Sequence, residues 1–359
     1  MRRGALWAVP SLLLALTSGT SWAYRDYFTP EQREQLAKAQ TVLVEAIALT
    51  DKGSIDASQF SEVTTHRLSE LGYTVISDPA KPHDVIFRVK CEQRKVWEGT
   101  TTMGSDADLP DSPSRVWKGP ACQLNYLLGG TKIKWQKEVR TDFEDAVQAA
   151  QAANAGDPGT YAMTKLKSLL EQYDFPILLT AEWGQAERLL KLLETPGTNE
   201  LRKLKAISLL GEMMDDKALP RLKEALKDKD LAKQAAVALG NLGKDSIPIL
   251  IDMLKNSKDP ELQAAAAKGL GNVGSAQGDA RIIPPLLEML NAPGIDVRVQ
   301  TEIAWSLGKL PDKRSVEPLF ALDRKLQKIR NDPPDPLIKK LKEAVFWAIK
   351  QCYTEDQYS

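Results

Sequence analysis

Residues of the kinds that most often do chemistry are few in this chain and stand far apart. There are only two histidines, His66 and His83. Neither has a second histidine, a cysteine pair or a carboxylate at ligand spacing, so neither a metal site nor a histidine-activated nucleophile is spelled out. Gly129-Gly130 and the stretch from Gly271 to Gly278 lack the spacings that cradle a phosphate. The many Asp and Glu residues read as a solvated surface, with no catalytic pair among them. A non-enzyme without metal or cofactor is the expectation.

The three cysteines are more informative. Alternation in Val85-Ile86-Phe87-Arg88-Val89-Lys90-Cys91 puts Cys91 on the face of Phe87 and Val89, and Cys122 shares a face with Leu124 and Tyr126. If those strands are neighbours, a Cys91–Cys122 disulfide is open, with two buried free thiols as the alternative. Cys352 is left over near the C-terminus.

Positioning such residues takes folded elements, and 359 residues at 43% hydrophobic and 27% charged suffice for two domains. Lys+Arg and Asp+Glu both number 48, and the zero formal charge gives no long-range pull toward nucleic acid. Arg2 and Arg3 followed by the apolar run Ala5 to Leu16, with Ser21-Trp22-Ala23, read as a secretory signal peptide over residues 1–23. The run is too short to span a bilayer, and no cysteine stands at the cleavage point to carry a lipid. An exported product, periplasmic or secreted, without an integral membrane segment after cleavage, is the expectation.

Residues 24–180 read as an α+β domain with an antiparallel sheet. Thr29-Pro30 starts a helix, 41–49 is a strand, 58–71 a helix ended by Gly72, and 73–76 a strand. Strands at 85–94 and 121–128 follow, the second turning through Gly129-Gly130 into Thr131 to Trp135. Between them, Gly99 to Pro120 reads as a loop flanked by Trp97 and Trp117. Gln148 to Gly159, rich in Ala, Gln and Gly, leads to a helix over 161–173.

From about Gln185 a phrase returns: Leu210-Gly211, Leu239-Gly240-Asn241-Leu242-Gly243, Leu270-Gly271-Asn272-Val273-Gly274 and Leu307-Gly308. Its glycines step by 29, 31 and 37 residues, the length of one stacked helix pair. Pro220, Pro248 and Pro284 mark the starts of first helices. In the second helices, apolar residues nine, five and one places before each glycine share one face, as Leu262, Ala266 and Leu270 do.

This pattern resembles HEAT repeats, and specifically the bacterial form known as PBS lyase HEAT-like repeats. The resemblance covers 185–351 and implies an all-α superhelical solenoid of about five helix pairs, with 352–359 as a C-terminal tail. The first and last units depart from the pattern, as caps of a stack do. More weakly, Phe60 to Leu71, Gly72-Tyr73-Thr74-Val75 and His83-Asp84-Val85-Ile86-Phe87 resemble the helix and strands of small α/β domains found in bacterial envelope lipoproteins.

Trp305 lies three residues before Gly308, and Trp347 falls at the equivalent place of the next unit, where Lys268 stands in an earlier one. Since the second helices of HEAT arrays line the concave side, the resemblance implies that Trp305 and Trp347, with Arg298, Glu302 and Lys340, anchor a protein partner. The other reading packs both indoles under residues 324–330 and the terminal cap. The expected function is that of a non-catalytic scaffold or adaptor of the bacterial cell envelope, its protein partner unidentified. The alternative is an enzyme or enzyme subunit related to bilin-lyase HEAT proteins. A third reading makes the α+β domain an envelope attachment unit and the array its passenger.

Overall fold

The structure, a computed structural model, describes residues 28–100, 114–329 and 335–356. The expected signal peptide lies outside the described residues. Helix α1 (Pro30–Lys38) opens with a capping box, in which Thr29 Oγ1 accepts from the Gln32 amide and Gln32 Oε1 from that of Thr29. Strands β1 (Thr41–Thr50) and β2 (Gly53–Ile55), helix α2 (Ser58–Ser69), and strands β3 (Thr74–Ile76), β4 (Val85–Thr100), β5 (Ser114–Leu128) and β6 (Thr131–Arg140) then complete one sheet.

The strand order is β2-β1-β4-β5-β6, with β3 also paired to β1. The β4-β5-β6 part is the expected antiparallel meander, but β1 runs parallel to both β3 and β4, so the sheet is mixed. Helix α2 is the reason: a helical crossover returns the chain to the end of the sheet it left, which a tight turn cannot do. A second difference lies at the expected loop of 99–120. The ladder there continues to Thr100 and resumes at Ser114, setting Trp97 opposite Trp117. Val96, Trp97, Val116 and Trp117 are strong strand formers and carry the pairing past a bulge between Glu92 and Lys95. Residues 101–113 lie outside the described part.

Helix α3 (Ala146–Ala152) occupies the Ala/Gln-rich stretch, its first amides held by Asp145. Helix α4 (Pro158–Gln172) crosses the inner face of the sheet and buries Met163, Leu166 and Leu170 there. Helix α5 (Phe175–Glu182) follows with Phe175, Ile177 and Leu179 fully buried. Phe175 stacks on Phe87 at 5.2 Å, and Trp183 meets Tyr73 and Tyr126 edge-on at 5.4 and 5.5 Å.

The boundary expected at 180–185 therefore falls inside one continuous core. Gln185 Nε2 donates to the carbonyls of Leu36 (2.7 Å) and Ala39 (2.9 Å), satisfying the open end of α1. Arg188 donates to the Leu71 carbonyl at 2.7 Å and lies 4.0 Å over the Tyr73 ring. Arg67 and Arg202 both pair with Glu70 and Asp174 across the same seam. Burial pushes the Tyr73 hydroxyl up to about 12, with its hydrogen bond to Thr180 and the nearby Arg188 pulling the other way.

Five helix pairs make the array. First helices are α6 (Ala186–Glu194), α8 (Leu219–Ala225), α10 (Ile247–Asn256), α12 (Ile283–Leu290) and α14 (Val316–Gln327). Second helices are α7 (Glu200–Met213), α9 (Ala232–Leu239), α11 (Pro260–Gln277), α13 (Val297–Lys309) and α15 (Pro336–Asp356). Asp259 and Asp296 cap α11 and α13.

The repeated glycines stand where successive second helices cross. A Cβ on Gly240 would stand 2.5 Å from the Cα of Gly269, one on Gly271 2.6 Å from Ser306 Cβ, and one on Gly308 2.6 Å from Trp347 Cε3. The stated tail does not begin at 352: α15 runs through it to Asp356, and Cys352 is buried with Sγ 3.7 Å from the Leu307 carbonyl. Leu341, Ala344, Val345, Ala348 and Cys352 share the face that packs on the array, and the apolar period continues past Gln351.

Candidate functional site

Counted from the repeat glycine, α11, α13 and α15 carry corresponding stripes that are exposed or half-buried, except at Ala344 of α15, which is fully buried. On α13 the stripe is Arg298, Glu302, Trp305 and Lys309, which fall on one face at helical spacing. The matching residues on α15 are Lys340, Ala344, Trp347 and Gln351, and on α11 they are Glu261, Ala265, Lys268 and Asn272. Successive stripes lie side by side because the glycines bring the helix axes together.

The structure brings the two tryptophans into contact. Their ring centroids are 5.0 Å apart at an interplanar angle of 48°. Both are half-buried: Trp347 sits over Gly308, Trp305 leans on Trp347, and one edge of each stays open. They pack on one another and on the array, Trp347 from the terminal helix α15 itself, and Arg324 of α14 pairs with Glu317. Lys268, at the place equivalent to the tryptophans, is exposed, as expected of a solvent-facing position.

Arg298 and Lys340 each stand two turns before their tryptophan, roughly 10 Å along the helix axis. Arg298 is engaged by Asp296 (3.0 Å) and by Glu261 of α11 (3.2 Å), and Glu261 also pairs with Lys233 of α9. The Arg298 guanidinium in turn holds the Asp296 carboxyl below the usual carboxylate range. Lys340 is exposed. Glu302 lies one turn from Trp305 and close enough to Lys309 to favour its charge.

Lys309 was missed in the sequence. It is the residue after the glycine in its repeat, a column that also holds Asn241 and Asn272. Lys309 Nζ donates to Asn272 Oδ1 at 2.9 Å and Asn272 Nδ2 to Asn241 Oδ1 at 3.1 Å, a polar line across three helices. Burial lowers the Lys309 pKa, Lys268 lowers it further, and Glu302 opposes both. The signal was the residue type following each Leu-Gly, legible once the glycines are known to be crossing points.

The indole pair and the charges held around it thus stand on a broad open surface. Such a surface, built from stacked helix pairs, has a family counterpart: the sequence matches HEAT repeats at residues 186–271 and 247–339. Residues 186–339 of the chain are HEAT repeats. No curated protein matches it. Among solved structures, human deoxyhypusine hydroxylase in complex with glycerol aligns with 58% of this chain and 90% of its own length, at 14% identity and a TM-score of 0.27. That likeness is too distant to bear on what the HEAT array does.

Elsewhere, Cys91 and Cys122 face each other in the β4–β5 ladder, both fully buried and joined by a disulfide. His83 hydrogen-bonds the Lys81 carbonyl at 2.9 Å, and His66 lies 3.6 Å from Glu70 on the surface of α2. Among the described residues no group of three or more His, Cys, Asp or Glu could hold a metal ion. A cleft of about 360 Å³ lies where the sheet meets the array, between Trp135 and Lys137 of β6 and Leu209, Glu212 and Met213 of α7.

Proposed function

We propose that the protein is a non-catalytic scaffold or adaptor of the bacterial cell envelope, exported under its N-terminal leader, that binds a partner protein on the concave face of its HEAT array. The adjacent, half-open indoles of Trp305 and Trp347 carry this reading, since paired aromatics at the centre of a polar surface are the usual anchors of a protein contact. Glu302, Lys268 and Lys309 border the rings and supply charges of both signs for orientation. The envelope assignment is supported by Arg2-Arg3, the apolar run ending before Ala23, and the resemblance of the repeats to the PBS lyase form. No described helix is long and apolar enough to cross a membrane.

Crosslinking in the native compartment, read by mass spectrometry, tests the site by comparing wild type with the Trp305→Ala/Trp347→Ala double variant. Loss of one partner from the variant supports the site. Unchanged capture sinks it. A truncation at Gln185 would be a poor control, because it cuts through the shared core at Trp183. Export is checked separately by N-terminal sequencing of the mature chain, expected to begin at Tyr24.

A further inference from the structure

Among the described residues, the second helix α15 has no helix packed where each earlier second helix has one. Four residues before the repeat glycine stand Ile207 on α7, Ala236 on α9, Ala267 on α11 and Ala304 on α13, each fully buried because the next second helix covers it. The same place on α15 is Phe346, which is 69% exposed. Two turns on, Tyr353 is 49% exposed, at the place where Gly274 of α11 meets Ile282 and Leu310 of the next repeat. The terminal helix thus keeps large apolar side chains on the face where each earlier repeat receives a helix.

The chemistry of the missing neighbour can be narrowed from the rest of the molecule. A second copy stacking head-to-tail would have to place its first repeat on α15, but that repeat is already packed on the sheet through α5 and Trp183. Two α15 helices meeting antiparallel about Phe346 would set Lys342 of each against Lys350 of the other. Lys339 and Lys342 stand on the Phe346 side of α15 with Lys340 beside them, against the single carboxylate of Glu343 in that half of the helix, while Glu355 and Asp356 lie at its far end. Complementarity then calls for negative charge on the other side.

We infer that the outward face of α15 docks an amphipathic helix of a partner protein, apolar along one stripe and acidic at its borders, in the position a sixth repeat would fill. This goes beyond the indole site, which lies on a different face of the same helix, and the two stand or fall separately.

The test uses full-length protein and a fluorescein-labelled synthetic peptide of about 20 residues, with leucines at helical spacing and glutamates between them. The expected result is saturable binding that Phe346→Ser weakens about tenfold or more, that rising salt weakens, and that Trp305→Ala leaves within roughly twofold. Phe346→Ser should melt at the wild-type temperature, since its ring is mostly in solvent. Several outcomes overturn the inference: no binding to either protein, equal affinity for wild type and Phe346→Ser, or loss on Trp305→Ala alone. Sedimentation of wild type, but not Phe346→Ser, with phosphatidylglycerol vesicles would point to lipid instead. A wild-type dimer abolished by Phe346→Ser would point to a second copy, and a lower melting temperature of that variant to packing within the chain.

Discussion

Five large rings, Phe87, Tyr126, Trp135, Phe175 and Trp183, fill the space between the sheet and α5, whereas the crossings at Gly211, Gly240 and Gly271 put glycine against alanine, glycine and serine, and only that at Gly308 meets a large ring. The two regions solve one packing problem with opposite means. A mixed sheet brings together residues distant in sequence and leaves a deep space that only bulky side chains fill. A helix stack meets only its neighbours, and its stability depends on how close the axes come. The sheet side should suffer most from losing volume, and the array from gaining it.

Trp183→Ala is the largest test of that contrast. It is expected to cost about 3–5 kcal/mol, and, because the core is shared, to shift the unfolding of sheet and array together. Two separate calorimetric transitions would break the comparison. Removing the disulfide with the Cys91→Ala/Cys122→Ala pair should cost about 2–4 kcal/mol, read as a lower urea midpoint. On the array side, Gly240→Val is expected to cost about 1–3 kcal/mol or more, with amide exchange in α9 and α11 accelerated more than in β4 and β5. Equal loss of protection in the sheet would show that the crossings are not local.

The smallest effect is a pH dependence. Hydrogen bonds from Arg281, opposed by burial, hold the Asp279 carboxyl at about 2, below its ordinary 3.8. Because the folded value is the lower one, this stabilisation is complete above about pH 4 and is lost as the pH falls toward 2. Asp279→Asn should flatten that acid limb of stability by lowering the plateau near neutrality while leaving stability near pH 2 little changed.

How much of this was legible in the sequence follows from the same contrast. The array could be read because its information is local: a 3.6-residue period, prolines at helix starts and a glycine at each crossing. The Trp305–Trp347 pair was legible too, since equivalent places in successive repeats are neighbours in space. What the pair touches was not, because Trp347 on Gly308 depends on how two helices meet. The parallel pairing of β1 with β4 joins Val42 to Val85 across 43 positions, and no local pattern reports such a partner. The strands continuing past Gly99 were hidden by a composition that also suits loops. Helix α5 was invisible as a joint, because Phe175-Pro176-Ile177-Leu178-Leu179 is a short apolar run that says "buried" without saying against what.

The two hydrogen bonds that Gln185 gives to the end of α1 bear on the order in which the molecule can be assembled. The carbonyls of Leu36 and Ala39 wait for the amide of Gln185, nearly 150 residues downstream. A chain emerging from the ribosome, amino end first, therefore cannot finish its first helix until more than half of its length has been made. Until then the sheet is an open intermediate with its aromatic side bare, the stretch of biosynthesis in which this protein most needs a holdase.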